Sequence, residues 1–218
     1  MSRKRGASGP WPAPAADVPA EKRLRIIGGQ FRGRLLYYSG DPRTRPMKDR
    51  VREAVFNLLG PSVRDKLAFD LFAGTGALGL EALSRGAVRA TFIERHIPTA
   101  RLIEQNAALL GVESQVDVVA ADTFFWGRTG RDSAASRDHP WLVFCSPPYD
   151  LYVARRDGML TLIRGLLVES PAASVFVVES DRRFDFGVLA DLGAWDVREY
   201  PPAVIGMLER PLNVAAGE

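Results

Sequence analysis

Four groups of residues have the types and spacing for chemistry, and each follows a short apolar run. The first is Asp70-Leu71-Phe72-Ala73-Gly74-Thr75-Gly76-Ala77-Leu78-Gly79, entered by Leu67-Ala68-Phe69. An apolar run that stops at glycines and continues as a helical pattern reads as strand, turn and helix. Such a turn admits a ligand close to the main chain and offers it unpaired N–H groups at the new helix start. Gly74, Gly76 and Gly79 satisfy the spacing of dinucleotide-binding turns, so a nicotinamide cofactor and an oxidoreductase form one reading. Asp70 favours another. An acid ahead of the glycines repels a pyrophosphate and suits a cationic ligand such as the methionine part of S-adenosylmethionine. Asp70, Phe72, Ala73, Gly74, Thr75, Gly76 and Gly79 are the candidate cofactor-binding residues of this turn.

The second group is Glu94 with Arg95, 18 residues beyond Gly76 at the end of the next β-prone run, where an acid can accept both hydroxyls of a ribose. The third is Asp122 with Thr123, after Val118-Val119-Ala120-Ala121. Asp122 can accept from an adenine amino group or cap a short helix through Phe124-Phe125-Trp126, and the two roles are compatible. The fourth is Ser146-Pro147-Pro148-Tyr149, after Trp141–Cys145. Two prolines stiffen the loop and remove two N–H donors, which leaves carbonyl acceptors. The aromatic beyond them offers a stacking face. Acceptors plus a stacking face fit an exocyclic amine on a flipped nucleobase. Hydrogen bonds from its two N–H groups would favour the pyramidal nitrogen that attacks a methyl sulfonium. No strong base is required, because the nitrogen becomes acidic once methylated.

These groups need strands to carry them. Strands are expected at 67–72, 89–94, 116–120, 141–145 and 174–179, with helices at 77–85, from Pro98 to Gly111, and at 159–168. Two further β-prone runs, 195–200 and 204–209, suit an antiparallel pair at the sheet edge. Residues 127–140 read as a surface loop. Strand–helix alternation predicts an α/β fold, a doubly wound and mostly parallel sheet with ligands at the strands' carboxyl ends, where all four groups fall. Ahead of it, residues 23–38 read as a hairpin around Gly28-Gly29, and 48–59 as a helix with Val51, Val55, Phe56 and Leu59 on one face. Residues 1–21, rich in Pro, Ala, Gly and charge, are expected to be disordered. The expected organisation is thus a 1–21 leader, a 22–61 basic extension, a 62–212 catalytic domain and a 213–218 tail.

Charge separates along the same division. Residues 1–52 hold 13 Lys/Arg against four Asp/Glu, a net +9, whereas the remainder nets −6. A basic leader on a mildly acidic body suits a polyanion, or is simply a solvated surface. Arg25, Arg32, Arg34, Arg45, Lys48, Arg50 and Arg52 are the candidate phosphate contacts. One cysteine and two histidines argue against a disulfide framework and a structural zinc site. No apolar stretch approaches a membrane span. A cytoplasmic monomer without metal is expected.

The motifs also carry a resemblance. Asp-x-Phe-Ala-Gly-Thr-Gly at 70–76, the acid at Glu94 and Pro-Pro-Tyr at 147–149 resemble the class I amino-methyltransferases. Arg25-Ile26-Ile27-Gly28-Gly29-Gln30-Phe31-Arg32-Gly33-Arg34, Arg45–Glu53, Phe72–Gly86 and Val178-Glu179-Ser180 are similar to the RsmD-type family, over about residues 24–210. The resemblance implies a seven-stranded Rossmann-like sheet with an N-terminal basic hairpin and helix. It also implies S-adenosylmethionine as cofactor, with methyl transfer to the exocyclic N2 of a guanine in small-subunit ribosomal RNA, free or in an assembling subunit. Ser146, Pro147, Pro148 and Tyr149 are then the catalytic loop. The chain departs from the family at Ser146, where the pattern has Asp or Asn. A neutral hydroxyl replaces a charged or amide acceptor, so a weakly active or inactive RNA-binding protein is a further reading.

Overall fold

In the computed structural model, residues 24–38, 40, 44, 46–129 and 138–212 are described. The N-terminal extension is short of strand: β1 (Leu24–Arg25) pairs antiparallel with β2 (Leu35–Leu36), and a tight 3-10 turn spans Gly29–Phe31 between them. The expected hairpin shrinks because its middle turns onto α2 (Ala77–Ser84) instead of extending. The fully buried Glu81 of α2 accepts the N–H groups of Ile27 and Gly28 at 2.7 Å each. Ser84 Oγ accepts from Phe31 N at 3.0 Å and donates to Gly28 O at 2.5 Å. At Gly29 (φ +75°) a Cβ would fall 1.9 Å from the Ser84 carbonyl, so only glycine permits this approach. Asn106, on α3 (Ile97–Leu110), holds Tyr37 as a neighbouring strand would, accepting from its N at 2.7 Å and donating to its O at 3.1 Å.

Next, α1 (Asp49–Leu59) buries Val51, Val55, Phe56 and Leu59, as its spacing predicts, and ends at Gly60. Phe56 meets Phe144 of the sheet, ring centroids 5.6 Å apart. Leu24, Ile26, Leu36 and the α1 face thereby join one apolar cluster with Ala68, Leu80, Phe92 and Phe144. The boundary expected at 61/62 falls within this continuous core.

The main sheet comprises β3 (Leu67–Asp70), β4 (Arg89–Ile93), β5 (Val116–Val119), β6 (Trp141–Cys145), β7 (Val175–Ser180), β8 (Asp196–Tyr200) and β9 (Ala203–Glu209), in the order β5-β4-β3-β6-β7-β9-β8. The first five run parallel, and β9 lies antiparallel between β7 and β8. The hairpin expected at the edge therefore inserts its second strand, the more apolar Ala203–Leu208, and leaves the exposed β8 outermost. On the second face, α4 (Thr123–Thr129), α6 (Arg156–Glu169) and a 3-10 segment Phe186–Leu192 cover an aromatic-rich cluster including Phe69, Trp126, Trp141 and Phe176. The short α5 (Leu151–Ala154), the Phe186–Leu192 segment and the first turn of α6 were not expected from periodicity, since each is too short or too polar to show a repeat. Strand order reverses at β3, so β3 and β6 open the crevice where doubly wound sheets bind ligands.

Candidate active site

Register aligns the chemistry. Asp70 pairs with Phe92 on one side and Phe144 on the other, and Cys145 pairs with Val178. Glu94, Asp70, Ser146 and Glu179 therefore leave four adjacent strands at one end of the sheet. Cys145 beneath them is a packing residue, its thiol pushed up to about 12 by burial.

Asp70 is 1% exposed. Its Oδ2 accepts from Gly79 N at 3.1 Å, while Oδ1 is buried with no hydrogen-bond partner. Burial foremost, with Glu94 adding repulsion against the Gly79 bond, raises its carboxyl to about 7. Gly79 makes that bond possible: a Cβ there would lie 2.3 Å from the Phe92 ring, and α2 would have to move outward. The glycine turn is tied down at both ends. Ala73 N donates to Ile93 O at 3.1 Å, and Gly76 N to Ala73 O at 2.7 Å, before Gly76 (φ 74°) starts α2. Thr75 is buried within the turn.

Glu94 braces this turn. One carboxylate oxygen accepts from Gly74 N at 2.9 Å and the other from His96 N at 2.7 Å. Each oxygen keeps a lone pair for a further donor. Arg95 beside it is exposed. Asp122 takes the capping role, with Oδ1 accepting from Phe124 N at 2.9 Å and Phe125 N at 3.0 Å. Its Oδ2 faces Arg155 at 3.8 Å, and that guanidinium sits 4.0 Å over the Phe124 ring. The Thr123 hydroxyl donates to Leu71 O, which joins α4 to the exit of β3. Phe72 meets Phe124 edge-on at 5.9 Å.

The Ser146-Pro147-Pro148-Tyr149 loop closes on a residue that sequence reasoning placed only within a resemblance. Glu179, 7% exposed at the end of β7, accepts Ser146 Oγ on Oε2 and Tyr149 OH on Oε1, the latter at 2.6 Å. Tyr152 OH donates to the Glu179 main-chain carbonyl at 3.0 Å. No cation pairs with Glu179 among the described residues. Pro148 O accepts from Leu151 N at 2.9 Å, whereas no main-chain donor meets Pro147 O among the described residues. The loop thus presents a hydroxyl backed by a carboxylate, a carbonyl and an aromatic ring. The signal for Glu179 was present in the sequence: an acid ends an otherwise apolar run, as at Asp70 and Glu94.

In the extension, Arg32, Lys48 and Arg50 are exposed. Arg25 pairs with Asp49 at 3.2 Å, and exposed Arg34 donates to Leu109 O at 2.9 Å. Arg45 lies outside the described residues. Arg52 is a correction. Expected to meet phosphate, it is 0% exposed, donates to Arg25 O at 2.6 Å and to Asp49 at 3.1 Å, and lies 3.9 Å from Glu81. Its place on the buried side of α1 turns it inward, and burial lowers its pKa. It holds the extension to α2 and cannot reach a polyanion.

The chain is similar to known proteins in sequence and in fold. The chain is 51% identical over 148 residues to "Ribosomal RNA small subunit methyltransferase D" of Escherichia coli K12, covering 68% of each chain. It is 34% identical over 165 residues to the protein of the same name from Haemophilus influenzae, covering 75% of this chain and 82% of that one. Among solved structures, a "putative methyltransferase" from Escherichia coli superposes with a TM-score of 0.67 at 32% identity, over 87% of this chain and 99% of the other. The family described as "Conserved hypothetical protein 95" matches residues 24–199, and the chain belongs to that family.

Proposed function

We propose that the protein transfers a methyl group from S-adenosylmethionine to the exocyclic N2 of a guanine in small-subunit ribosomal RNA. The observation that carries this reading is the pairing of two features on adjacent strands. A buried carboxylate oxygen without a partner stands at the glycine turn, and a loop of acceptors with an aromatic face stands beside it. The relatives' names, as ribosomal RNA small subunit methyltransferases, support the substrate class.

The residues fit the cofactor. Asp70 Oδ1 needs a donor, and an ammonium group supplies one together with the charge that keeps Asp70 ionised. Glu94 would accept the ribose hydroxyls with its remaining lone pairs. Asp122 Oδ2, not engaged in the helix cap, would face the adenine amine, with Phe72 and the Thr123 main chain beside it. When bound, the cofactor supplies an electrophilic methyl group on a sulfonium. The chain's own part is to present the amine. Tyr149 would stack on the guanine, while Ser146 Oγ and Pro147 O would accept its two N–H groups. That geometry withdraws the nitrogen lone pair from the ring and directs it toward the turn.

Arg32, Lys48 and Arg50, all exposed, would neutralise phosphates of the RNA. Among the described residues no helix is long and apolar enough to cross a membrane, and we read the protein as a cytoplasmic monomer. Incubation with labelled S-adenosylmethionine and small-subunit RNA, followed by mass mapping, tests the proposal. A single N2-methylguanine is the expected product. Cofactor binding without any labelled RNA, free or in subunits, would leave an RNA-binding protein that retains the fold without transfer.

A further inference from the structure

We propose that Glu179 is the proton acceptor of this site, acting through Ser146 Oγ, and that it supplies the negative charge missing from position 146. The inference rests on the transfer reaction proposed above. A lone serine hydroxyl can accept a hydrogen bond from an amine, but it cannot keep a proton, because a protonated hydroxyl is a strong acid. Ser146 is not alone: its own proton already points at Glu179 Oε2. Donation to a carboxylate raises the electron density on Oγ and strengthens it as an acceptor. As the N–CH3 bond forms and the S–CH3 bond breaks, the amine becomes acidic. Its proton moves to Ser146 Oγ while the Ser146 proton moves to Glu179 Oε2. One positive charge leaves the sulfonium, one proton neutralises the carboxylate, and no other reactant is needed.

Three observations support the assignment. Glu179 is almost fully buried and has no cation partner among the described residues, so its charge is not neutralised by an ion pair. Both its oxygens are occupied by hydroxyls of the one loop that would hold the base. Its main chain is fixed by strand pairing to Ile205 and by Tyr152, and the two hydroxyl hydrogen bonds hold its carboxylate toward the loop. Tyr149 OH, on the other oxygen, orients the carboxylate and holds the ring face in place.

The test compares the full chain with S146A, E179Q, S146D and the S146D/E179Q double variant. Each is measured by transfer to small-subunit RNA, by cofactor calorimetry and by urea unfolding without ligands. Glu179→Gln keeps the shape but removes the charge: the amide can accept from only one of the two hydroxyls and cannot take up the proton. In the parent background it should lower kcat tenfold to a hundredfold while KM for RNA and cofactor affinity change less than threefold. In the Ser146→Asp background position 146 carries its own charge and the two carboxylates repel. There the loss on Glu179→Gln should shrink below threefold, and the urea midpoint should rise. A merely structural role for Glu179 would lower kcat equally in both backgrounds, and that result overturns the relay. An unchanged kcat for Glu179→Gln in an active parent also overturns it and leaves the methyl-transfer reading intact. If neither the parent nor S146D labels RNA, both fail together.

Discussion

Asp70 gives the sharpest test, because the structure makes it both a cost to folding and a binding group. Its carboxyl is raised from 3.8 to about 7, chiefly by burial. Between those values the folded chain holds a proton that the unfolded chain has released. Stability therefore falls as pH rises across this window and levels off above it. About three pKa units correspond to ~4 kcal/mol opposing folding at pH 8. Asp70→Asn removes the charge and keeps an acceptor for Gly79 N. Its amide hydrogens stand where Oδ1 has no partner, as the acid proton does at low pH, so the two proteins should be of similar stability near pH 4. By pH 8 the variant should be the more stable by about 2–4 kcal/mol, or roughly 4–16 °C in Tm at ~2–4 °C per kcal/mol for a chain of this size.

Urea unfolding of both proteins from pH 4 to pH 8 measures the difference directly, since every other titrating group is common to both. Affinity should move the opposite way. A ligand with an ammonium group should bind the parent with release of a proton below pH 7, seen in calorimetry as heats that vary with the buffer's ionisation enthalpy. Asp70→Asn should weaken that binding at least tenfold and abolish the proton release. Parallel stability curves, with a pH-independent difference, would refute the buried carboxyl. Gain in stability with unchanged affinity would refute its role toward the cofactor.

Individual contacts of the extension and of the α4 cap set further expectations. Arg52→Ala should cost about 1–3 kcal/mol in urea because it leaves the Arg25 carbonyl without its buried donor, while Glu81 keeps Arg85 at 2.8 Å; Arg50→Ala should leave stability nearly unchanged and reduce the salt slope of RNA affinity by about 0.7–0.9. Deleting residues 1–38 should destabilise the protein by at least about 3 kcal/mol relative to deleting 1–23, since it strips Glu81, Ser84 and Asn106 of their main-chain partners; equal midpoints would contradict the docked extension. Asp122→Ala should cost about 0.5–2 kcal/mol through the lost helix cap, and Asp122→Asn, which keeps an acceptor for the cap, should weaken cofactor affinity only if Oδ2 meets the adenine.

The buried strands and the two long helices behind the site were legible because each is rich in apolar residues at the right period and bounded by a glycine, a proline or an acid. That pattern is local, and so are Asp70, Glu94 and Ser146 as strand-end residues. What could not be read was partnership across the chain. Arg50 and Arg52 look alike in a basic segment, and only the rotation of α1 against α2 sends one to solvent and the other to Glu81. Glu81 itself sits in an apolar helical run, where an acid suggests a solvated face. Its carboxylate instead completes the main-chain hydrogen bonds of Ile27 and Gly28, 54 and 53 residues away.

Ser146 shows how far such partnership changes a chemical argument. Taken alone, replacement of Asp or Asn by serine removes a charge-assisted acceptor and points to weakened transfer. The β6–β7 register sets Cys145 beside Val178, so the next residues, Ser146 and Glu179, emerge as neighbours and the serine hydroxyl donates to the carboxylate. Charge that position 146 lacks is then present one strand away, behind the hydroxyl. The substitution moves the carboxylate back from the base and inserts a hydroxyl between them, which preserves the direction of proton flow. On this geometry Ser146→Asp need not raise the rate, because the new carboxylate would stand against an existing one. Whether Glu179→Gln helps or harms that variant therefore decides which carboxylate the site was built around.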